Sequence, residues 1–263
     1  MDRQELAVKY KDFNLLIGTP CFGGTVVCEY LSGLLGLLAT GIKATCSVLV
    51  AESLVTRARN TIVATFLSNP SFTHLLFIDA DIGFQSEAVL RLLDAGKPVV
   101  SAVYPRKTLD WEAIRRIAPH STGGQDLQEK SLTYVVNVSE MAAHETLTVE
   151  NGFLKVLDAP TGFMLIERRV FEILRDKYPE LHYEDDQPHR LQSGASSENF
   201  WLFFDTMVDP NTKRYLSEDY AFCRRWQNAG GEIWVDLCSP LVHVGRYAFS
   251  GNISKQFTYS ISG

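Results

Sequence analysis

Short apolar runs alternate with longer segments of helical length over the first hundred residues. The runs have the length and the branched or aromatic content of buried strands, and turn residues or helix caps separate them from the segments between. Strands are predicted at residues 13–18, 43–51, 74–78 and 98–104, and helices at residues 25–40, 54–67 and 86–95. Strands that alternate with helices of about 10–15 residues indicate βαβ units. The pattern therefore predicts an α/β fold with a mostly parallel central sheet flanked by helices.

The second half of the chain is less regular. Residues 132–138 and 153–156 have strand character and could pair antiparallel. Further strands are predicted at 162–167, 200–204, 233–235 and 241–244, with helices at 168–177 and 217–229. Residues 106–127 show little periodicity, and the polar residues 182–199 have the composition of an active-site lid. Because no repeat or linker interrupts the chain, residues 1–263 are expected to form a single domain with a small antiparallel portion in its second half.

The amino-acid composition excludes some classes of function, although it says little more about the fold. Hydrophobic residues make up 46% and charged residues 21%, as in a globular protein, and the net charge is -6. This acidic balance excludes a nucleic-acid partner, because neutralising a phosphate backbone needs clustered Lys and Arg. The five cysteines are odd in number and form no CxxC, which favours reduced thiols. The first residues lack a signal-peptide pattern, and the most apolar window, residues 30–39, is about half of a membrane span. We therefore expect a cytoplasmic protein with no transmembrane segment.

The strongest local signal is the pair Asp79 and Asp81, which follows the apolar run HLLFI. Side chains at positions i and i+2 of an extended chain lie on the same side, so both carboxylates can approach one cation. Carboxylate oxygens suit Mg²⁺ and Mn²⁺, which commonly bridge to substrate phosphates. In open parallel sheets, ligands bind at the carboxyl ends of the strands. The pair therefore indicates a divalent-metal site next to a phosphate-bearing ligand.

An apolar strand that ends in Asp also occurs in P-loop nucleotide hydrolases, so the matching phosphate loop must be considered. Residues 18–25 have the glycine spacing of that loop, but Gly24 stands where the motif has its lysine. Pro20 also removes a backbone N–H from the stretch that would cradle the phosphates. We therefore reject the P-loop interpretation.

Three other groups could contribute chemistry. Arg57 and Asn60 share one face of the helix predicted after the second strand, and cations near a helix N-terminus are unfavourable unless an anion is present. Glu218 and Asp219 begin a late helix, where acidic residues also suit the helix dipole. His243 lies in an apolar run, and neutral imidazole is a frequent metal ligand.

These features occur in a defined order: a strand ending in Thr-Pro, a strand ending near Glu52, an arginine-bearing helix, the DxD strand, a Glu-Asp helix and a final histidine. The order resembles that of the GT-A fold glycosyltransferases, which have a Rossmann-like sheet, and particularly their family 2-like and Anp1-like members. The resemblance covers residues 13–245 and is densest in SLVTRARNTIVATFL, HLLFIDADIGF and SEDYAFCRRW. It implies a nucleotide-binding half over residues 13–105 and an acceptor-binding half over residues 106–250.

The resemblance also implies roles for individual residues. The residues that would bind the nucleotide sugar are Thr19, Pro20, Glu52, Arg57, Asn60, Asp79 and Ala80. Those that would bind a Mn²⁺ or Mg²⁺ cofactor are Asp79, Asp81 and His243. Asp219 would be the catalytic base, with Glu218 as the second choice. Those that would meet the acceptor are Gly162, Phe163 and Trp201. Arg57, Arg59 and either Arg106 or Lys107 could meet phosphate directly, and residues 104–107, after the fourth strand, could also approach the donor or acceptor.

The sequence thus predicts a metal-dependent, inverting glycosyltransferase. It would move a sugar from a nucleotide-sugar donor, UDP-linked, to a hydroxyl of a glycan or another acceptor. A sugar-nucleotide nucleotidyltransferase is the first alternative, although residues 19–25 lack the Lys or Arg expected in its glycine-rich loop. A non-catalytic nucleotide- or carbohydrate-binding protein is the second, and it would not need Glu218 and Asp219.

Overall fold

The computed structural model of the protein describes residues 2–136, 148–185, 194–245, 248–256 and 260–262. Its helices are α1 (Arg3–Lys9), α2 (Cys28–Ala39), α3 (Val55–Ser68), α4 (Ser86–Asp94), α5 (Trp111–Ile117), α6 (Gly124–Ser131), α7 (Arg168–Lys177) and α8 (Glu218–Asn228). Its first strands are β1 (Asn14–Cys21), β2 (Lys43–Val50), β3 (His74–Ile78), β4 (Ile82–Gly83), β5 (Val99–Ala102), β6 (Thr148–Glu150) and β7 (Phe153–Val156). The remaining strands are β8 (Phe163–Glu167), β9 (Met207–Val208), β10 (Tyr215–Leu216), β11 (Ile233–Asp236), β12 (Leu241–Val244), β13 (Ala248–Gly251) and β14 (Ser260–Ser262).

Nine of the described strands form one central sheet in the order β14-β6-β7-β11-β5-β8-β3-β1-β2. The pairs β1–β2, β1–β3, β5–β11 and β6–β14 are parallel. The four pairs that include β7 or β8 are antiparallel. Seven of the nine strands therefore run in one direction, and β7 and β8 run in the other. The prediction of a mostly parallel central sheet is confirmed.

Apolar side chains alternate between the two faces of this sheet. Leu75 and Phe77 of β3 join the hydrophobic cluster that contains the inner faces of α3, α7 and α8. Leu76 and Ile78 join the cluster that contains the inner faces of α2 and α4. All four side chains are fully buried. The continuous apolar run of β3 is explained by helices that cover both faces.

The reversed strand β8 lies between β3 and β5 and decides what reaches the edge of the sheet. Its first residue, Phe163, is paired with Ile78, the last residue of β3. The loop before β8 therefore arrives at the same edge as the carboxyl ends of β3 and β5. Gly162 becomes a neighbour of Asp79 in this way, and the Asp79 N–H donates to its carbonyl at 2.9 Å.

Two smaller antiparallel sheets complete the described part of the chain. One has the order β13-β12-β4 and the other pairs β9 with β10. His243 of β12 lies opposite Ile82 of β4, so the end of the chain folds back next to the DxD turn. A small antiparallel portion is thus present, although β4 comes from the first half.

Some second-half predictions differ from the structure. Residues 106–127, which show little periodicity in the sequence, contain α5 and the beginning of α6. The Asp110 side chain caps α5 by accepting from the Ala113 N–H at 2.9 Å. Residues 200–204, predicted as a strand, form one isolated bridge at Trp201 followed by a turn, and three fully buried phenylalanines pack into the core there. Within 132–138, the described residues make one isolated bridge, between Pro105 and Tyr134, and the last two lie outside the described residues. The lid prediction over 182–199 falls partly outside them too.

Two further features of the described residues concern the cysteines and the length of the apolar helices. All five cysteines lie in the described ranges and carry free thiols. No helix in those ranges has the length and apolarity to cross a membrane.

Candidate functional site

A cleft of about 380 Å³ opens at the carboxyl ends of β1, β2 and β3. Pro20 and Phe22 line it from the end of β1, Glu52 from the end of β2, and Asp79 and Asp81 from the end of β3. Its volume lies in the range of about 300–1,000 Å³ that is usual for small-molecule sites. The cleft thus occupies the position that the parallel strands predict for a ligand.

The backbone of the DxD turn is fixed on several sides. The Ile82 N–H donates to the Asp79 carbonyl at 3.0 Å and closes the turn into β4. The Ala80 carbonyl accepts from Val27 just before α2 at 3.0 Å, and the Asp81 carbonyl accepts from Val244 of β12 at 2.9 Å. Because these bonds use the backbone, the two carboxylates remain on the cleft wall, where their side chains are 29% and 38% exposed.

Arg59 lies beneath this wall and connects it to α8. Its side chain is 4% exposed, and its Nη1 and Nη2 lie 3.1 and 3.2 Å from Oδ1 and Oδ2 of Asp79. Its Nε lies 3.4 Å from Oε1 of Glu218. Burial opposes the charge, but the two carboxylates raise the pKa of Arg59 above its ordinary value. The guanidinium therefore stays charged and holds two acidic residues from distant parts of the chain together.

The first turn of α8 supplies the opposing carboxylates. Burial raises the pKa of Glu218; nearby Asp219 raises it further, and Arg59 lowers it. Asp219 Oδ1 accepts from the Ser217 hydroxyl and from the Tyr220 N–H, the latter at 2.8 Å. Both of these hydrogen bonds end on Oδ1 of the carboxylate. Ser217 therefore orients Asp219 rather than capping the helix with its own side chain.

His243 is oriented by the backbone on its far side. Its Nδ1 lies 2.8 Å from the Pro105 carbonyl, which can only accept, so Nδ1 carries the proton. The lone pair is then on Nε2, which lies 3.7 Å from Oδ1 of Asp81. Burial lowers the pKa of His243, which favours the neutral ring. A hydrogen-bonded imidazole with its other nitrogen presented to a carboxylate is a common arrangement for a metal ligand.

The binding of a metal ion by Asp79, Asp81 and His243 stays a prediction. Among the residues that the structure describes, no group of three or more His, Cys, Asp and Glu side chains could hold a metal ion. Asp81 and His243 lie side by side, but the Asp79 carboxylate is bound by Arg59, and the Lys107 ammonium is paired with Asp81 Oδ2. Of the three predicted metal ligands, Asp81 and His243 are therefore adjacent, and Asp79 is engaged by Arg59.

The residues predicted to bind the nucleotide separate into two groups. Pro20, Glu52, Asp79 and Ala80 line the cleft, and Arg57 donates to Glu52 through Nε at 2.7 Å and Nη2 at 2.6 Å. The other two are held inside the protein.

Thr19 and Asn60 are the two buried members. The Thr19 hydroxyl shares a hydrogen bond of 2.6 Å with the Tyr30 hydroxyl, and Asn60 Oδ1 accepts from the Phe204 N–H at 2.9 Å. Both side chains are at most 1% exposed. The structure thus gives them positions in the core, because each satisfies a buried polar partner there.

The acceptor residues also separate. Gly162 lies next to Asp79, whose N–H donates to its carbonyl, and its own N–H donates to the Tyr104 hydroxyl at 3.2 Å. Phe163 is fully buried with its ring centre 5.3 Å from that of Phe84, and Trp201 stacks on Phe203 at 5.7 Å inside the core. Of the three, Gly162 is the one whose backbone is hydrogen-bonded to Asp79.

Tyr104 belongs to residues 104–107, which were expected to approach the donor or acceptor, and its hydroxyl lies beside Gly162. Burial raises the pKa of Tyr104 well above its ordinary value, and the nearby Asp79 carboxylate raises it further. The phenol is therefore neutral. Its position at the end of a central strand is the sequence signal that pointed to it.

Substitution of Gly162 by Ala is expected to lower the free energy of unfolding by about 1–3 kcal/mol, as for an overpacked core. The added Cβ would overlap the Tyr104 hydroxyl and lie 2.8 Å from Asp79 Oδ2, so the turn would have to move. Urea denaturation measures the change. Gly36→Ala in α2 is the matched control, because its Cβ would meet nothing within 4 Å. An equal free energy of unfolding for Gly162→Ala and the wild type would contradict the close approach.

Comparison with known proteins adds little to this geometry. No protein-family model matches the chain, and no curated protein matches it either. Among solved structures, the STIV protein A197 is 14% identical over 91% of this chain and 95% of its own, with a TM-score of 0.46. The 4-diphosphocytidyl-2C-methyl-D-erythritol synthase from Anaerococcus prevotii is 7% identical over 84% of this chain and 99% of its own, with a TM-score of 0.37. At these values neither likeness bears on the chemistry of the cleft.

Proposed function

We propose that the protein is a glycosyltransferase of the GT-A kind that transfers a sugar from a nucleotide-sugar donor to an acceptor hydroxyl. One observation carries the proposal: buried Arg59 joins Asp79 on the cleft wall to Glu218, which precedes Asp219 in the first turn of α8. This link supports a single site in which one acidic pair would serve the donor complex and the other would remove a proton.

The donor would lie along the ends of β1 and β2. The cleft there is bounded by Pro20 and Glu52, and its volume suits a nucleoside. The Glu52 carboxylate is already oriented by Arg57 and by the Leu54 N–H at 3.1 Å. A carboxylate fixed in this way can accept hydrogen bonds from ribose hydroxyls or a base edge.

Asp81 and His243 would hold a Mn²⁺ or Mg²⁺ ion. The pair fits such an ion because the Nε2 lone pair faces the carboxylate, and because metals at phosphate sites use one or two protein ligands together with phosphate oxygens. When bound, the ion would neutralise charge that develops on the leaving diphosphate. Asp79, held by Arg59, would shape the wall beside it.

Asp219 would act as the general base. The acceptor oxygen forms a bond to the anomeric carbon, the bond from that carbon to the diphosphate oxygen breaks, and the acceptor proton passes to the Asp219 carboxylate. Glu218 is the weaker choice because its carboxylate is engaged by Arg59. A single base on the face opposite the leaving group corresponds to inversion at the anomeric carbon.

A thermal-shift screen of UDP-sugars with and without Mn²⁺ tests the proposal. A cognate donor at about 100 times its Kd should stabilise the protein by about 2.7 kcal/mol. In a chain of this size that raises the Tm by about 5–10 °C. We expect this rise only when Mn²⁺ is present.

Asp81→Ala should remove the Mn²⁺-dependent rise and abolish transfer, while its Tm without ligand stays near that of the wild type. Asp176→Ala, which changes an exposed carboxylate on α7, is the matched control. A nucleotidyltransferase would instead release pyrophosphate from a nucleoside triphosphate and a sugar phosphate. That result, or full transfer by Asp81→Ala, would overturn the proposal.

A further inference from the structure

Backbone hydrogen bonds and side-chain packing, in addition to its charge, hold Lys107 next to Asp81. The Arg106 N–H donates to the Thr133 carbonyl at 2.7 Å, and Pro105 bridges to Tyr134, so the backbone before Lys107 is fixed. Its stem lies over Gly245, where an added Cβ would come within 2.9 Å of Lys107 Cδ. The side chain is 34% exposed. The segment that fixes Lys107 also provides the Pro105 carbonyl that orients His243.

The ammonium of Lys107 forms an ion pair with the same carboxylate that would bind a metal ion. It pairs with Asp81 Oδ2, and Asp81 Oδ1 lies 3.7 Å from the His243 Nε2 lone pair. A divalent ion bound between Asp81 and His243 would lie within a few ångströms of that ammonium. Like charges repel strongly at such separations in a partly buried site. The ammonium and the metal ion therefore exclude each other from Asp81.

We propose that Lys107 is an internal counter-cation of Asp81 that competes with the divalent metal ion and, once displaced, pairs with the phosphate groups of the donor. This inference rests on the proposed function, because it assigns a role to a residue of that same cleft. It makes Lys107 a positioning residue that couples two binding events. The metal ion releases the ammonium, and the released ammonium adds one positive charge for the anionic ligand.

The coupling has a direct consequence for the protein without substrate. Metal binding alone must break the Lys107–Asp81 pair and gains no phosphate contact in return. Metal binding together with a diphosphate replaces that pair by a new one. The cleft should thus bind a metal ion weakly by itself and more tightly with a diphosphate present.

Calorimetric titration of Lys107→Met with MnCl₂ tests the competition. Met keeps an unbranched apolar stem over Gly245 and removes only the charge. We expect the Kd for Mn²⁺ alone to fall by about fivefold, the value of an ion pair of this exposure. Titration of pyrophosphate at saturating Mn²⁺ should show the reverse, with a Kd raised about tenfold through loss of a charged hydrogen bond.

Lys97→Met is the matched control, because Lys97 has a similar exposure of 29% and pairs with Glu150 away from the cleft. It should change neither Kd. General damage to the fold would weaken Mn²⁺ binding, which is opposite to the expected change. An unchanged or weaker Mn²⁺ affinity in Lys107→Met, or no Mn²⁺ binding by either protein, would overturn the inference. No sugar donor enters these titrations, so a failure of the proposed transferase activity would be seen separately, in the donor screen.

Discussion

Replacement of Asp219 by Asn should lower the kcat of sugar transfer by about 10³-fold, the usual effect of losing a general base. Asn has nearly the same shape, and its carbonyl oxygen can still accept from the Tyr220 N–H that now meets Asp219 Oδ1. The amide cannot take the acceptor proton. Donor affinity should remain, because the donor side of the cleft is built by other strands. Transfer rates and donor calorimetry on the same preparation measure the two quantities separately.

Glu218→Gln is the matched variant for this experiment, since it changes the neighbouring carboxylate in the same helical turn. We expect it to lose less transfer than Asp219→Asn, because Glu218 is bound to Arg59. The reverse order would assign the base to Glu218. Full turnover in both variants would show that neither carboxylate takes the proton.

Replacement of Arg59 by Met should destabilise the protein by about 3–5 kcal/mol, as when one partner of a buried ion pair is removed. The guanidinium is 4% exposed and lies against Asp79 and Glu218, which are themselves 29% and 17% exposed. Without it, two carboxylates face each other with no buried counter-charge. Urea denaturation at neutral pH gives the free energy of unfolding for the comparison with the wild type.

The same variant should acquire a marked dependence of stability on pH. Burial already raises the folded-state pKa of Glu218 from its ordinary value of 4.5, and Arg59 opposes that rise. Loss of Arg59 therefore raises the pKa further. A carboxyl group of this kind binds more protons when folded than when unfolded, so its contribution is fully present below the unfolded pKa and is lost as the pH rises through the folded pKa. The Tm deficit of Arg59→Met should thus grow from about pH 5 to about pH 8.

The double variant Arg59→Met/Glu218→Gln separates this effect from a packing defect. Gln has no charge to lose, so the added pH dependence should disappear while part of the stability loss remains. A Tm deficit that is equal at both pH values in the single variant would contradict the role given to Glu218.

The regular first half of the fold follows directly from the sequence. The predicted strands at 74–78 and 98–104 correspond to β3 and β5, because an apolar run covered by helices on both faces has few other structures. The predicted strand at 43–51 corresponds to β2, an exposed edge strand whose β-branched residues gave the signal. The reversed direction of β8 does not follow, since an apolar strand of five residues has the same pattern in either direction. The position of Gly162 beside Asp79 depends on that direction and could not be predicted.

Side-chain orientation limits what could be predicted of the site. Asp79 and Asp81 were identifiable because they end a buried strand, and the Glu218–Asp219 pair because it begins a helix. On α3, however, Arg57 and Arg59 differ by about 200° around the helix axis, so only one of them can face the carboxylates. The structure turns Arg59 inward and leaves Arg57 beside Glu52. The choice depends on how α3 packs, which no local pattern contains.

The position of Arg59 also bears on the biosynthesis of the chain. One of its partners, Asp79, is 20 residues away, and the other, Glu218, is 159 residues away. Contacts between residues so far apart form slowly, because a long loop must close first. A nascent chain that has left the ribosome only as far as β5 can already pair Arg59 with Asp79, but it has no opposing carboxylates. The cleft is completed only when α8 has been synthesised and docked, so truncated products would carry one wall of the site without the other.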